Sequence, residues 1–193
     1  MIAPLMAAFA ITGSPQAPAA PPTSAPLIPN VTLIDERGTL TPLAALKGRV
    51  ILISFFSSTD SPQGTCTAVA GKFLYLQRHL PANGYRLLEI TRDPERDSPQ
   101  RLRGYAKLFA SDPQVWSFLT GDRRQIDLLA KTLGASRRRK LEQDEPLFVI
   151  DATGRVGGVL QTSDWSPEDA LALAMRIGSG RDLSRPPRPA QPR

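Results

Sequence analysis

Residues 49–66 read RVILISFFSSTDSPQGTC, and this stretch decides the fold. Its first part, residues 49–56, is a run of β-forming and mostly apolar side chains, which predicts a buried central strand. The small and turn-forming residues 57–64 predict a loop. Thr65 then begins a helix, because apolar residues recur after it at helical spacing. These residues are Val69, Phe73, Leu76 and Leu80.

Strands and helices alternate on both sides of this stretch. Upstream, Val31–Ile34 and Thr39–Leu40 flank the turn Asp35–Gly38, which predicts a β-hairpin, and Leu43–Leu46 makes one helical turn. Downstream strands are predicted at Tyr85–Thr91, Val115–Leu119, Leu147–Ile150 and Val156–Thr162, and helices are predicted to start at Ser98, Asp122 and Ser166. This order predicts an α/β protein with a thioredoxin-like fold, in which helices flank a central mixed sheet that carries an N-terminal hairpin extension.

The two ends of the chain differ in composition from its middle. Residues 1–27 hold a signal-like apolar segment and a Pro/Ala linker, and residues 181–193 form an Arg/Pro tail that we expect to be disordered. Residues 28–180 are therefore predicted to form one folded domain. The chain has 193 residues and a formal net charge of +6 but no nucleic-acid-binding motif, so we expect no nucleic-acid partner.

The N-terminal segment has the pattern of an export signal. Met1–Thr12 is apolar, and small residues follow it. It is shorter than the roughly 20 residues that span a bilayer as a helix. If the chain starts upstream, the segment is the end of a membrane anchor, and Ser14–Pro26 is a spacer. The alternative interpretation is the N-terminal tail of a cytosolic protein; we expect export.

The loop and the helix start at residues 57–66 are where we expect the chemistry of this fold to lie. A helix N-terminus stabilises a thiolate or another anion. Cys66 is the only cysteine, which excludes an intramolecular disulfide and a dithiol reductase. Its thiol is either buried and inert or a single nucleophile. His79, the only histidine, follows on the same predicted helix, where we expect a capping or surface residue and not a metal ligand.

Four segments together resemble motifs of the Sco/SenC family of thioredoxin-fold copper chaperones. The loop FFSSTDSPQGTC at residues 55–66 is similar to that family's T-x-C-P-x-x-C-P loop, and DPERDSP at residues 93–99 is similar to its D-P-E-x-D-T-P. WSFLTG at residues 116–121 resembles W-x-x-L-T-G, and FVIDATG at residues 148–154 resembles Y-L-I-D-P-x-G. The resemblance runs from about residue 28 to residue 178 and rests on four motifs in the same order.

The resemblance implies a function and also a departure from it. Members of the family bind copper through the two loop cysteines and a later histidine, and deliver it to the dinuclear copper site of cytochrome c oxidase. In this chain Ser61, Thr65 and Gln143 occupy those three positions. Cuprous ion prefers thiolate and imidazole ligands. We therefore expect no copper and no other cofactor, although a site formed by Cys66 with Met175 stays open.

Two further groups of polar residues are candidates for function. Asp97, with Ser98 and Pro99, is interpreted as a helix entry, whereas Asp93 is expected to point toward the face of the loop. The basic cluster Arg137, Arg138, Arg139 and Lys140 precedes Gln143 and is a candidate docking patch.

The sequence as a whole predicts a Sco/SenC-like protein with a degenerate copper site. We place it in the periplasm or on a membrane anchor facing the periplasm, with a protein partner in oxidase assembly or thiol exchange. No residue is assigned as catalytic, although Cys66 is the candidate thiol, and we lean against an enzyme. Two alternatives stay open: a single-cysteine redox protein that uses Cys66, and a non-catalytic interaction module that uses the basic cluster.

Overall fold

A computed structural model describes residues 25–58, 65–81, 83–135, 146–161 and 165–180, with residues 65–67 described as backbone. Its strands are β1 Thr32–Asp35, β2 Leu40–Pro42, β3 Val50–Phe56, β4 Tyr85–Thr91, β5 Trp116–Thr120, β6 Leu147–Ile150 and β7 Val156–Leu160. Its helices are α1 Thr65–His79, α2 Pro99–Leu108, α3 Arg123–Thr132 and α4 Pro167–Gly178, and Leu43–Leu46 forms a 3₁₀ turn.

The strands form one mixed sheet in the order β2-β1-β5-β4-β3-β6-β7. Strands β3, β4 and β5 are parallel, and the other neighbours are antiparallel. The β1–β2 hairpin joins the sheet beside β5, where Ile34 pairs with Thr120. The thioredoxin-like α/β fold with an N-terminal hairpin extension is therefore confirmed.

Both faces of the sheet are covered by helices, because its central strands are apolar on both sides. All seven residues of β3 are buried. Alternate β3 side chains enter two separate cores: Leu52 and Phe56 pack in the core that contains residues of α1, α2 and α4, whereas Ile53 and Phe55 pack in the core that contains residues of α3. This two-sided burial is what the continuous apolar run predicted.

Three predicted helix starts are confirmed by their capping hydrogen bonds. The side chain of Ser98 accepts from the backbone N–H of Arg101 at 3.3 Å, and that of Ser166 accepts from Asp169 at 3.0 Å. Asp122 caps α3 by accepting from the backbone N–H groups of residues 124 and 125. Each bond satisfies a donor that the first turn leaves unpaired.

Several strand boundaries differ from the prediction: β2 ends two residues later, at Pro42, β7 ends two residues earlier, at Leu160, and β1 and β5 each end one residue later. β1 ends at Asp35 and β5 at Thr120, because these two strands pair with each other through Ile34–Thr120 and Asp35–Leu119. Within the described part of the chain, none of the helices has the length and apolar character needed to cross a bilayer.

Candidate functional site

The carboxyl ends of β3 and β4 meet at one edge of the sheet. Phe56 lies opposite Thr91 in the parallel register, and the backbone N–H of Arg92 donates to the carbonyl of Phe56 at 2.7 Å. Residues 57 and 58 leave β3 here, and residues 92–98 link β4 to α2. We call residues 57–58 and 91–101 the loop edge. In an open α/β sheet, the edge at the carboxyl ends of parallel strands is the usual place for a site.

A buried carboxylate organises the loop edge. Asp97 is fully buried, and its Oδ2 accepts from the backbone N–H of Ser58 at 3.2 Å and from the hydroxyl of Thr91. Its Oδ1 accepts from the hydroxyl of Ser58 and lies 3.5 Å from Nε of Arg101. Nε of Arg101 also donates to the Ser58 hydroxyl oxygen at 2.6 Å. We call Ser58, Thr91, Asp97 and Arg101 the Asp97 cluster.

Asp97 directly precedes the cap of α2, as the predicted helix entry requires, but capping does not account for its side chain. Ser98 supplies the cap of α2, whereas Asp97 bonds to Ser58, 39 residues earlier in the chain. Asp93 forms ion pairs with Arg96 at 3.7 Å and with Arg123 at 3.9 Å. The acidic side chain that contacts the start of the loop is therefore Asp97 and not Asp93.

The only cysteine and the only histidine lie at the two ends of α1. Cys66 is the second residue of this 15-residue helix and His79 is the last. At 1.5 Å per residue, their backbones are about 20 Å apart along the helix axis. His79 is exposed, stacks on the ring of Tyr75 and lies with Nδ1 2.8 Å from the Tyr75 carbonyl oxygen. The expectation of a surface histidine is confirmed.

Met175 is also remote from Cys66. The ammonium of Lys72 on α1 lies 4.6 Å from the ring centre of Trp165, and Tyr75 hydrogen-bonds Glu168 on α4, so the two helices run side by side in the same direction. Within the two helices, Cys66 precedes Tyr75 by nine residues, whereas Met175 follows Glu168 by seven. At 1.5 Å per residue these offsets add to about 24 Å, which excludes a metal site shared by Cys66 and Met175 of one molecule.

Several predicted site residues lie outside the described residues. These are Ser61, Gln143 and the basic cluster Arg137, Arg138, Arg139 and Lys140; Thr65 and Cys66 are described only as backbone at the start of α1. Among the residues that are described, no three His, Cys, Asp or Glu side chains are grouped so as to hold a metal ion.

A second buried carboxylate was missed by the sequence analysis. Glu89 is fully buried in β4, opposite Ser54 of β3, and its Oε2 accepts from Nε1 of Trp116 at 3.0 Å. Neighbouring positions 87 and 116 belong to the core that also contains residues of α1. The sequence does contain a signal for this contact, because an acidic residue such as Glu89 within an apolar strand indicates a buried polar contact.

Two neighbouring carboxyl groups in the β1–β2 hairpin have pKa shifts in opposite directions. Burial by itself raises the pKa of Asp35, but hydrogen bonds from the backbone N–H groups of Thr39 and Arg37 and from the Arg37 guanidinium outweigh it and lower that pKa. Burial raises the pKa of Glu36, whose Oε2 accepts from the backbone N–H of Phe118 at 3.0 Å. Both groups lie outside the loop edge: Asp35 closes the hairpin turn, and Glu36 fixes the hairpin to β5.

Comparison with known proteins gives one family. The SCO1/SenC family model matches residues 19–176. A protein of Stutzerimonas stutzeri named for copper binding is 33% identical to this chain over 110 residues, which are 55% of this chain. The chain spans about half of that relative, since the match covers 52% of its length.

Solved structures of low sequence identity share the fold. BsSco, described as a member of the Sco family of cytochrome c oxidase assembly proteins, is 20% identical with a TM-score of 0.68, covering 80% of this chain and 95% of its own. Yeast Sco1, solved with copper bound, is 19% identical with a TM-score of 0.67, covering 83% of this chain and 98% of its own.

Proposed function

The chain belongs to the SCO1/SenC family, and from this membership we propose that it is a member that binds a protein partner in cytochrome c oxidase assembly without carrying copper. The oxidase connection comes from BsSco, whose description names that role, and the copper comparison comes from yeast Sco1. On the alignment of the four motifs, this chain replaces the residues that the family uses for copper.

The donor set of this chain does not fit a cuprous ion. The family's ligand positions hold Ser61, Thr65 and Gln143, which are neutral oxygen or amide donors, whereas cuprous ion prefers thiolate, thioether and imidazole. The observation that carries the proposal is the separation of about 20 Å between Cys66 and His79 along α1. One molecule therefore cannot bring its thiolate and its imidazole to the same ion.

The copper part of the proposal is tested by anaerobic titration of the full chain with cuprous ion against a competing chelator. The Cys66→Ser variant is titrated in parallel as the matched control. We expect neither protein to retain a stoichiometric copper. One equivalent retained by the wild type and lost in the variant would show that Cys66 is a ligand, and would overturn the proposal.

The proposed binding of a protein partner is tested by a direct binding measurement. The probe is the copper-bearing domain of cytochrome c oxidase, measured by calorimetry with and without added cuprous ion. We expect binding whose affinity does not change with copper. An absence of binding in both conditions would contradict the role in oxidase assembly. We further propose that the protein acts in the periplasm, either released or held by an N-terminal anchor, where such a domain is accessible.

The position of Cys66 supports a second candidate function, single-thiol redox chemistry. Cys66 is the second residue of a 15-residue helix, and the N-terminus of a helix favours the thiolate. The test is the pH dependence of alkylation of the native protein. Reaction below about pH 7 is typical of a depressed thiol pKa and favours this candidate. A native thiol that stays unreactive to pH 9 excludes it.

A further inference from the structure

We propose that Asp97 is a positioning residue for the loop edge, because its buried carboxylate fixes Ser58, the point where the chain leaves β3, against β4 and the first turn of α2. This inference rests on the proposed function, to which it adds the loop edge, the usual place for a site in this kind of sheet. It gives Asp97 a role that the start of α2 does not require.

Both oxygens of the Asp97 carboxylate contact polar groups of the protein. Oδ2 receives the Ser58 N–H and the Thr91 hydroxyl, and Oδ1 receives the Ser58 hydroxyl and faces Nε of Arg101. Oδ2 thus accepts two hydrogen bonds, whereas Oδ1 accepts one and forms an ion pair with Arg101, whose single Nε hydrogen is donated to the Ser58 hydroxyl. A carboxylate with no exposed surface is costly unless it is bonded in this way. These contacts fix the position of the Asp97 carboxylate, and Ser58 provides two of the four.

The Asp97 cluster is separate from the cap of α2. Ser98 alone satisfies the backbone N–H of Arg101, at 3.3 Å. The cluster instead joins three separate segments, namely the end of β3, the end of β4 and the first turn of α2. Thr91 extends the cluster along the linker, because its hydroxyl oxygen accepts from the backbone N–H of Asp93 at 2.9 Å. Removing the cap and removing the cluster are thus separable changes.

The experiment uses Cys66 of the full chain as a reporter, since it follows the start of the loop by eight residues. Native alkylation by iodoacetamide is measured from pH 6 to pH 9 in the wild type and in Ser58→Ala, Ser58→Thr and Asp97→Asn. Ser98→Ala is the matched control, because it weakens the first turn of α2 and removes none of the contacts of the Asp97 carboxylate. Each variant is first shown to be folded by circular dichroism.

We expect Ser58→Ala to change the alkylation rate by at least about threefold, because it removes both hydrogen bonds of the Ser58 hydroxyl. We also expect the apparent pKa of the alkylation profile to move in Ser58→Ala, and Ser58→Thr to restore both quantities. Ser98→Ala should match the wild type. If Asp97→Asn does not fold, the two Ser58 variants decide the question alone.

Two results would overturn the inference. One is a folded Ser58→Ala variant with the wild-type rate and profile; the other is an equal change in Ser98→Ala, which would indicate general weakening of α2. Neither result bears on whether copper or the oxidase domain binds, so the proposed function stands or fails on its own tests.

Discussion

Cys66 and His79 lie at opposite ends of α1, thirteen residues and about 20 Å apart along its axis. They are the only cysteine and the only histidine of the chain. Because a helix is rigid over this length, no rearrangement of the neighbouring loops brings their two side chains to one ion. The donor set for a soft metal would have to be rebuilt at other positions.

Such rebuilding gives the first prediction. The variant Ser61→Cys, Thr65→Cys and Gln143→His places two thiols and one imidazole at the family's ligand positions. We expect it to retain one equivalent of cuprous ion against a chelator that strips the wild type, because it restores the soft donors that the ion prefers. Ser61→Cys alone is the control and should not gain the site. Failure of the triple variant would show that these positions do not correspond to the family's ligands.

The second prediction concerns Asp35, whose folded-state pKa is lowered. A lowered carboxyl pKa contributes stability above the unfolded-state pKa and loses it as pH falls through the folded value. Asp35→Asn should therefore destabilise the protein by about 1 kcal/mol at pH 7, a value kept small because Arg37, its partner, is half exposed. Urea unfolding should show the difference shrinking below about pH 4. A constant difference from pH 3 to pH 7 would contradict this account.

The third prediction concerns Glu36, whose pKa is shifted in the opposite direction to that of Asp35. Burial raises the pKa of Glu36, so the folded state favours the protonated form, and the charged form costs stability as pH rises through the folded pKa. Glu36→Gln keeps an acceptor for the backbone N–H of Phe118 and removes the charge. Its melting temperature relative to wild type should therefore increase from pH 4 to pH 7. A relative stability that falls over this range would contradict the shift.

Local signals in the sequence predicted the elements of the fold well. A cap such as Ser98 bonds within its own helix turn, and the buried strand β3 is apolar throughout, so both are readable from a short window of sequence. Contacts between segments far apart in the sequence could not be predicted in this way. Asp97 bonds Ser58 across 39 residues and Glu36 bonds Phe118 across 82, and in both cases the tertiary partner decides the role of the carboxylate.

The candidate site was predicted less completely than the fold for the same reason. The family's motif identified residues 93–99 as a segment of interest, and the end of the predicted strand pointed Asp93 toward the face of the loop, whereas Asp97 makes the contact with the loop. Sequence spacing fixes where a turn begins; it does not fix which of two carboxylates four residues apart turns inward. Of the two carboxylates, Asp97 is the buried one, and the hydroxyl of Thr91 donates a hydrogen bond to it.

The fourth prediction tests the core beneath α1. Phe73 is fully buried, and its ring lies 5.8 Å from that of Trp116. Phe73→Ala should destabilise the protein by about 3–5 kcal/mol, through lost burial and the cavity left behind. Because Trp116 loses a ring neighbour, its fluorescence should also shift. Leu108→Ala is the control, since Leu108 is 79% exposed and should change stability by less than about 0.5 kcal/mol.

The fifth prediction concerns the basic cluster Arg137, Arg138, Arg139 and Lys140. Four adjacent like charges repel one another, so an acidic partner surface that meets them relieves this repulsion and binds in a salt-dependent manner. Changing all four to Gln should weaken binding of the oxidase copper-bearing domain and flatten its dependence on salt between 50 and 300 mM. Arg78→Gln, in the last turn of α1, is the control for loss of charge elsewhere. An unchanged affinity with an unchanged salt dependence would contradict a docking role for the basic cluster.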